Sequence, residues 1–231
     1  MESQLELVAK SYDKAIDLGR QGIDLYKELP EHIKNNPGYP IFEKMILEGG
    51  TSDSGRKEIR EFLSPQAEMK FIDLGCCLNL MFNGYDQWPS TYHGVDISSK
   101  TIGLLREVVA KRNLPVGALY CGSIHETPFA ADTFDIGACI GVLEYFEKDF
   151  IEKAIVEAHR ILKPCGKFVL DVPDMGSPEQ RITMLIEAHL GRPDRYDLSP
   201  AEFEKLLNHR FEIQRVEKVG PMIQYFLNCK K

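Results

Sequence analysis

Phe71-Ile72-Asp73-Leu74-Gly75-Cys76-Cys77 is an apolar run with one carboxylate that stops on a glycine, the pattern of a buried strand turning sharply at its end. The same texture continues downstream. β-type runs at Lys70–Leu74, Thr91–Asp96, 117–121, 134–140 and 167–172 alternate with helical stretches, as in a parallel sheet with covering helices. Two of those helices are well marked. Ile102, Leu105, Val108 and Val109 follow a cap at Ser98 or Ser99, and Ile151, Ala154, Ile155, Ala158 and Leu162 precede Lys163-Pro164-Cys165-Gly166.

Outward from this block, residues 3–29 place Leu5, Val8, Tyr12, Ile16, Ile23 and Tyr26 at helical spacing, predicting one amphipathic helix that stops at Pro30. Residues 31–66 read as short helices broken by Asn36-Pro37-Gly38 and by residues 49–55, ending at Ser64-Pro65. After the fifth strand, Asp174-Met175-Gly176-Ser177 opens a helical insertion, and Ser199-Pro200-Ala201-Glu202 caps a further helix. Phe211–Val219 and 222–230 read as strands around Gly220-Pro221, and so short a turn joins only antiparallel neighbours. The fold class is therefore α/β: a three-layer sandwich with a seven-stranded, mostly parallel sheet, an antiparallel C-terminal hairpin and a helical N-terminal cap.

Composition excludes several classes. The 231 residues are 43% hydrophobic and 27% charged, close to soluble globular averages, which argues against disordered or fibrous structure. There is no apolar run of ~18 residues, and Met1-Glu2-Ser3-Gln4 lacks the layout of a signal peptide, so a cytoplasmic location is expected. A net charge of −7 disfavours broad contact with nucleic acid or an anionic membrane. The six cysteines lack C-x-x-C spacing, so no metal site is expected.

Two positions point to a nucleotide-like ligand. Gly75, lacking a Cβ, can turn the chain and leave its amide accessible beyond the strand end, although a turn that binds nothing uses the same residue. Asp96 ends the second strand 23 positions after Asp73, near the ~20-residue separation of an acid that accepts from ribose hydroxyls. The alternative for Asp96 is an acid favoured by a helix N-terminus.

Asp73-Leu74-Gly75-Cys76, Gly94-Val95-Asp96-Ile97-Ser98, Gly122-Ser123 with Thr127-Pro128-Phe129, Thr133-Phe134-Asp135, Gly141-Val142-Leu143-Glu144 and Ala158-His159-Arg160-Ile161-Leu162-Lys163-Pro164 occur in that order. Together they resemble the class I, S-adenosylmethionine-dependent methyltransferases of small molecules, across roughly residues 69–172. The resemblance implies one domain over 1–231, with a helical cap over 1–66 and a Rossmann-like core over 67–231 whose insertion spans about 174–198. It implies S-adenosylmethionine as cofactor, held by Asp73, Gly75, Cys76 and Asp96. Ile97 would then lie on the adenine, Gly122, Ser123 and Ile124 at its other edge, and Cys139 and Ile140 beneath the sulfonium. The chain departs from the family at Cys77 and Asn79, where glycines are usual, and at Ser123, where an acid is usual.

Methyl transfer from a sulfonium is a displacement that needs mainly alignment and exclusion of water, so no catalytic triad is required. His125 and Tyr145 follow strands at their ligand-facing ends and are the candidate catalytic side chains, with a neutral loop role as the alternative. Tyr12, Tyr26, Tyr39 and Phe42 form either a lid or core. Arg181, His189, Arg192 and Arg195 either grip an anionic small-molecule acceptor or form a solvated face. Two rivals remain: a nicotinamide-dependent oxidoreductase, which the missing second and third glycines after Gly75 disfavour, and a non-catalytic cofactor-binding partner protein.

Overall fold

The computed structural model describes residues 3–47 and 57–231. Helices α1 (Gln4–Arg20), α2 (Glu31–Lys34), α3 (Tyr39–Leu47) and α4 (Lys57–Leu63) precede the sheet. Then follow β1 (Lys70–Leu74), α5 (Asn79–Phe82), β2 (Thr91–Asp96), α6 (Ser99–Arg112), β3 (Val116–Cys121), β4 (Phe134–Cys139) and α7 (Lys148–Ile161). The chain finishes with β5 (Leu162–Pro173), α8 (Pro178–His189), α9 (Pro200–Asn208), β6 (Phe211–Val219) and β7 (Met222–Cys229).

The strands form one seven-stranded sheet in the order β3-β2-β1-β4-β5-β7-β6. β1 pairs in parallel with β2 and β4, whereas β7 runs antiparallel to both β5 and β6. The chain steps outward from β1 through β3 and then returns to lay β4 on the other side of β1. This order reversal opens a crevice beyond the carboxyl ends of β1 and β4.

β1 reads as a continuous apolar run because both of its faces are covered. Ile72 and Leu74 join Ile151, Ile155, Phe203 and Leu207 of α7 and α9 on one side. Phe71 joins Ile59, Leu80 and Ile102 of α4, α5 and α6 on the other, with its ring centroid 4.9 Å from those of both Tyr85 and Trp88. Burying a side chain such as Phe71 stabilises the fold by about 1.5–3 kcal/mol. A third cluster, Leu29, Ile33, Phe42, Ile182 and Ile186, joins the N-terminal helices to α8.

The β6/β7 ladder carries a bulge between Ile213 and Arg215. Before it, Phe211 and Ile213 pack on the α7/α9 face; after it, Arg215 lies over the ring of Phe226, which belongs to the opposite face. The extra residue thus turns Arg215, Glu217 and Val219 toward α4 and α5.

Some boundaries differ from expectation. The first helix stops at Arg20 rather than at Pro30, because Gly22 adopts φ +79° two residues later and diverts the chain. Ile23 and Tyr26 consequently leave the helical stripe, and Ile23 is exposed. β5 starts at Leu162 and absorbs the expected turn at 163–166 as a bulge, with Cys165 at φ +59°. Within the insertion only Pro178–His189 is helical. The expected break at 49–55 lies outside the described residues. Among the described residues, no helix is long and apolar enough to cross a membrane.

Candidate functional site

At the end of β1, Gly75 turns with φ +78°, and a Cβ there would lie 2.2 Å from Val142 Cγ2. Only glycine fits both the backbone angle and the space. The amides of Gly75 and Cys76 both donate to the carbonyl of Val95 at 2.8 Å, and that of Asn79 donates to the carbonyl of Cys76 at 2.8 Å. The loop is thereby stitched to the end of β2.

Asp96 completes that junction. Its Oδ2 accepts the Cys77 amide and its Oδ1 the Ser98 amide, each at 2.8 Å. Each carboxylate oxygen keeps a second lone pair. Burial raises the carboxyl above its ordinary range, and the two amides oppose that rise. The adjoining Ser98 caps α6 through Thr101 and donates from Oγ to Asp13 of α1 at 2.6 Å, which ties α1 across the strand ends.

Between α1 and the strand ends lies a cavity of about 650 Å³, within the usual range of small-molecule sites. Gly75, Asp96, Ile97, Ser123, Ile124 and Ile140 of the expected cofactor residues line it, as does Tyr145. Asp73, Cys76, Gly122, Cys139 and His125 do not. Asp73 is fully buried beneath the loop, where Tyr92 donates to it at 2.9 Å; burial pushes its carboxyl up to about 7 against that hydrogen bond. Cys76 is buried in the core on the α5 and α6 face, and Cys139 in the core on the opposite face. Gly122 donates its amide to the Asp96 carbonyl at 2.9 Å. His125 places Nδ1 2.5 Å from Ser123 Oγ, with its ring beside Phe150.

The lining also takes in Tyr12, one of the aromatics expected in a lid or core, and Cys77 and Asn79, the expected departures from the family; Phe146 and Phe150 carry no signal in the sequence. Leu5, Val8 and Tyr12 of α1 roof the cavity, and Phe146 and Phe150 form a stacked pair 3.9 Å apart. Val142 had a signal as part of Gly141-Val142-Leu143-Glu144; the amide of Gly141 donates to Asp171 at 2.8 Å. Cys77 also lines the cavity, at φ +37°, and its thiol is pushed up to about 12, first by burial and then by Asp96, so it stays protonated.

The arginine expected to meet an anion or solvent does neither. Arg192 is 3% exposed, pairs with Glu187, donates to Tyr26 at 2.9 Å and to Ser11 at 3.2 Å, and lies 4.6 Å over the Tyr12 ring. Tyr145 donates to the same Glu187 at 3.2 Å and sits 3.2 Å from the Tyr12 hydroxyl. Burial raises the Tyr145 phenol well above its usual range, so it offers a hydrogen bond rather than a base. Arg181, His189 and Arg195 are exposed and lie outside the cavity lining, and Arg195 pairs with Glu147 at 3.5 Å.

Residues 72–170 match the methyltransferase domain family. The chain carries a methyltransferase domain. Its matched span runs from β1 into β5 and includes the Gly75 turn, Asp96 and the loop after β4. No curated protein sequence matches the chain. Solved structures similar to the methyltransferase domain and its flanking helices include a geranyl diphosphate C-methyltransferase from Streptomyces coelicolor A3(2), at 14% identity and TM-score 0.67, covering 99% of this chain and 98% of that one. The cyclase SpnF is similar at 14% identity and TM-score 0.64, covering 100% and 97%. A protein from Pyrococcus horikoshii OT3 is similar at 20% identity and TM-score 0.60, covering 85% and 94%. At these identities the likeness is one of fold.

Proposed function

We propose that this chain transfers a methyl group from S-adenosylmethionine to a small-molecule acceptor. The observation that carries the reading is the Gly75–Asp96 junction: a sharp, closely packed turn beside a buried carboxylate that lines a cavity and keeps lone pairs free. The geranyl diphosphate C-methyltransferase resembled in fold was solved with S-adenosyl-L-homocysteine, which agrees with the same cofactor class here.

The residues fit that cofactor. Asp96 accepts from the two ribose hydroxyls, and Ile97 and Ile124 supply apolar surface for the adenine. The amides of Gly75, Cys76, Cys77 and Asn79 are all committed to protein acceptors. A dinucleotide pyrophosphate draws on such amides at the first turn, so this geometry favours an adenosyl sulfonium over a nicotinamide dinucleotide.

When bound, the sulfonium supplies an activated methyl group. The chain's own part is alignment and exclusion of water. Leu5 and Val8 line the cavity from α1, and Ile140 and Val142 line it beyond the end of β4. Tyr145, whose hydroxyl donates to Glu187, keeps its proton and can accept a hydrogen bond from the methyl acceptor rather than deprotonate it.

Thermal unfolding with S-adenosylmethionine, S-adenosylhomocysteine, NAD and NADP tests the reading. A ligand at 100 times its Kd stabilises by about 2.7 kcal/mol. Stabilisation by both adenosyl compounds is expected, and stabilisation by a nicotinamide dinucleotide alone refutes the proposal.

A further inference from the structure

Tyr12 of α1 and Tyr145, which follows β4, both line the cavity, and their hydroxyl oxygens lie 3.2 Å apart. Their rings meet edge to face, with centroids 6.4 Å apart. Burial raises both phenols well above the usual range, so each keeps its single proton. Where those two protons point decides what the pair can bind.

The network behind the pair fixes both directions. Glu187 of α8 is ion-paired with Arg192, and a carboxylate in that state offers lone pairs only. Tyr26 donates to its Oε1 and Tyr145 to its Oε2, each at 3.2 Å. A charged acceptor makes the stronger hydrogen bond, so the Tyr145 proton goes to Glu187 rather than to Tyr12. The contact between the two tyrosines then has one donor, Tyr12. With both protons committed inside the protein, only lone pairs are left over: two on the Tyr12 oxygen and one on that of Tyr145. Arg192 and Glu187 carry opposite charges, so the network adds no net charge behind the pair. The flanks are apolar. Val8 lies one turn before Tyr12 on α1, and Phe146 follows Tyr145 and stacks on Phe150; all three line the cavity.

We infer that Tyr12 and Tyr145 select the methyl acceptor by accepting a hydrogen bond from it, and that the acceptor is a neutral molecule with an O–H or N–H group on an apolar body. Val8, Phe146 and Phe150 supply surface for that body. An ether or a ketone brings only lone pairs to a pair that has only lone pairs to offer, and a site that hydrogen-bonds a substrate O–H or N–H rejects the analogue lacking it. The inference rests on reading the cavity as a joint cofactor and acceptor site.

Calorimetric titration of 4-propylphenol, 4-propylaniline and 4-propylanisole, all uncharged at neutral pH, tests it, each with and without saturating S-adenosylhomocysteine. The tighter of the phenol and the aniline is expected to bind at least about tenfold more tightly than the anisole, and which of the two leads identifies the donor. Tyr145→Phe takes away the acceptor of the Tyr12 proton and frees that proton for a ligand. The affinity ratio of donor to ether is therefore expected to fall at least about fivefold, whereas a merely structural role for Tyr145 would weaken all three ligands alike. In Tyr12→Phe the Tyr145 proton stays on Glu187, so the ratio is expected to remain within about threefold of that in the unaltered protein. An ether bound as tightly as the donors, no binding of any of the three, an unchanged ratio in Tyr145→Phe or a lost preference in Tyr12→Phe overturns the inference. Should Tyr145→Phe fail to fold, the unaltered protein and Tyr12→Phe still decide. Failure of S-adenosylhomocysteine itself to bind refutes the cofactor reading instead, and the titrations without it still decide the donor question.

Discussion

Cys77 donates its backbone amide to Asp96 Oδ2 at 2.8 Å from a left-handed conformation, φ +37°. The bond joins the loop after β1 to the acid at the end of β2, and it holds a residue with a Cβ where glycine sits most easily. A left-handed residue with a Cβ costs roughly 1–2 kcal/mol, and glycine's added unfolded-state freedom costs roughly 0.5–1 kcal/mol. Cys77→Gly is therefore expected to gain up to about 1 kcal/mol in urea unfolding, whereas Cys77→Ala, which keeps the Cβ, gains nothing from relief of strain. A loss of more than about 1 kcal/mol in the glycine variant would contradict this account of the turn.

Gly75→Ala should be among the most damaging single changes. It adds a Cβ 2.2 Å from Val142 Cγ2 at φ +78°, combining a clash with a backbone penalty. The expected cost is about 2–4 kcal/mol. Val142→Ala in the same chain should return the clash portion, giving a non-additive double-mutant cycle. Additive losses would show that the two side chains do not share that space.

Asp73 makes stability depend on pH. Its folded carboxyl, pushed up to about 7 by burial, lies above the ordinary value of 3.8, so protonation favours the native state. That contribution is complete below about pH 4 and is lost as pH rises to 7. Asp73→Asn removes the dependence and keeps an acceptor for Tyr92. Its advantage over the unaltered protein should grow across that window to at most about 4 kcal/mol at pH 8, at about 1.4 kcal/mol per pH unit. Unfolding measured at pH 4.5, 6 and 8 with a constant difference would refute it.

Arg192 and Glu187 hold α1 to the segment after β5 through Ser11, Tyr26 and Tyr145. Arg192→Ala strands a buried carboxylate, at an expected cost of about 3–5 kcal/mol. Hydrogen exchange should report faster opening in α1 before the sheet responds. Uniform loss of protection across sheet and helix would contradict a local tie.

The sheet was legible because its evidence is local. Strands buried on both faces appear as apolar runs, and the glycine at 75 marks the turn that a parallel strand end needs. Asp96, Ile97, Ser123 and Ile124 were within reach for the same reason, since they follow strand ends. Cys76 and Cys139 were misplaced relative to the cavity because alternation along the chain decides which neighbour of a turn faces inward, and the turn at Gly75 resets it. Glu217 and Val219 of the cavity lining had no local signal. Their face depends on a one-residue bulge near position 214 and on an antiparallel register that only the folded hairpin defines. Arg192 was open to an anion or a solvated face because Ser11 and Tyr26, which bury it beside Glu187, lie more than 160 residues away.

Calorimetric titration of S-adenosylhomocysteine into the unaltered protein and Asp96→Ala, with NAD as control, tests the central claim most directly. One-to-one binding to the unaltered chain, at least 100-fold weakening in Asp96→Ala and no heat from NAD are expected. Tight NAD binding without binding of the adenosyl compound, or equal affinity in Asp96→Ala, would contradict the assignment of Asp96 and of the cavity it opens on.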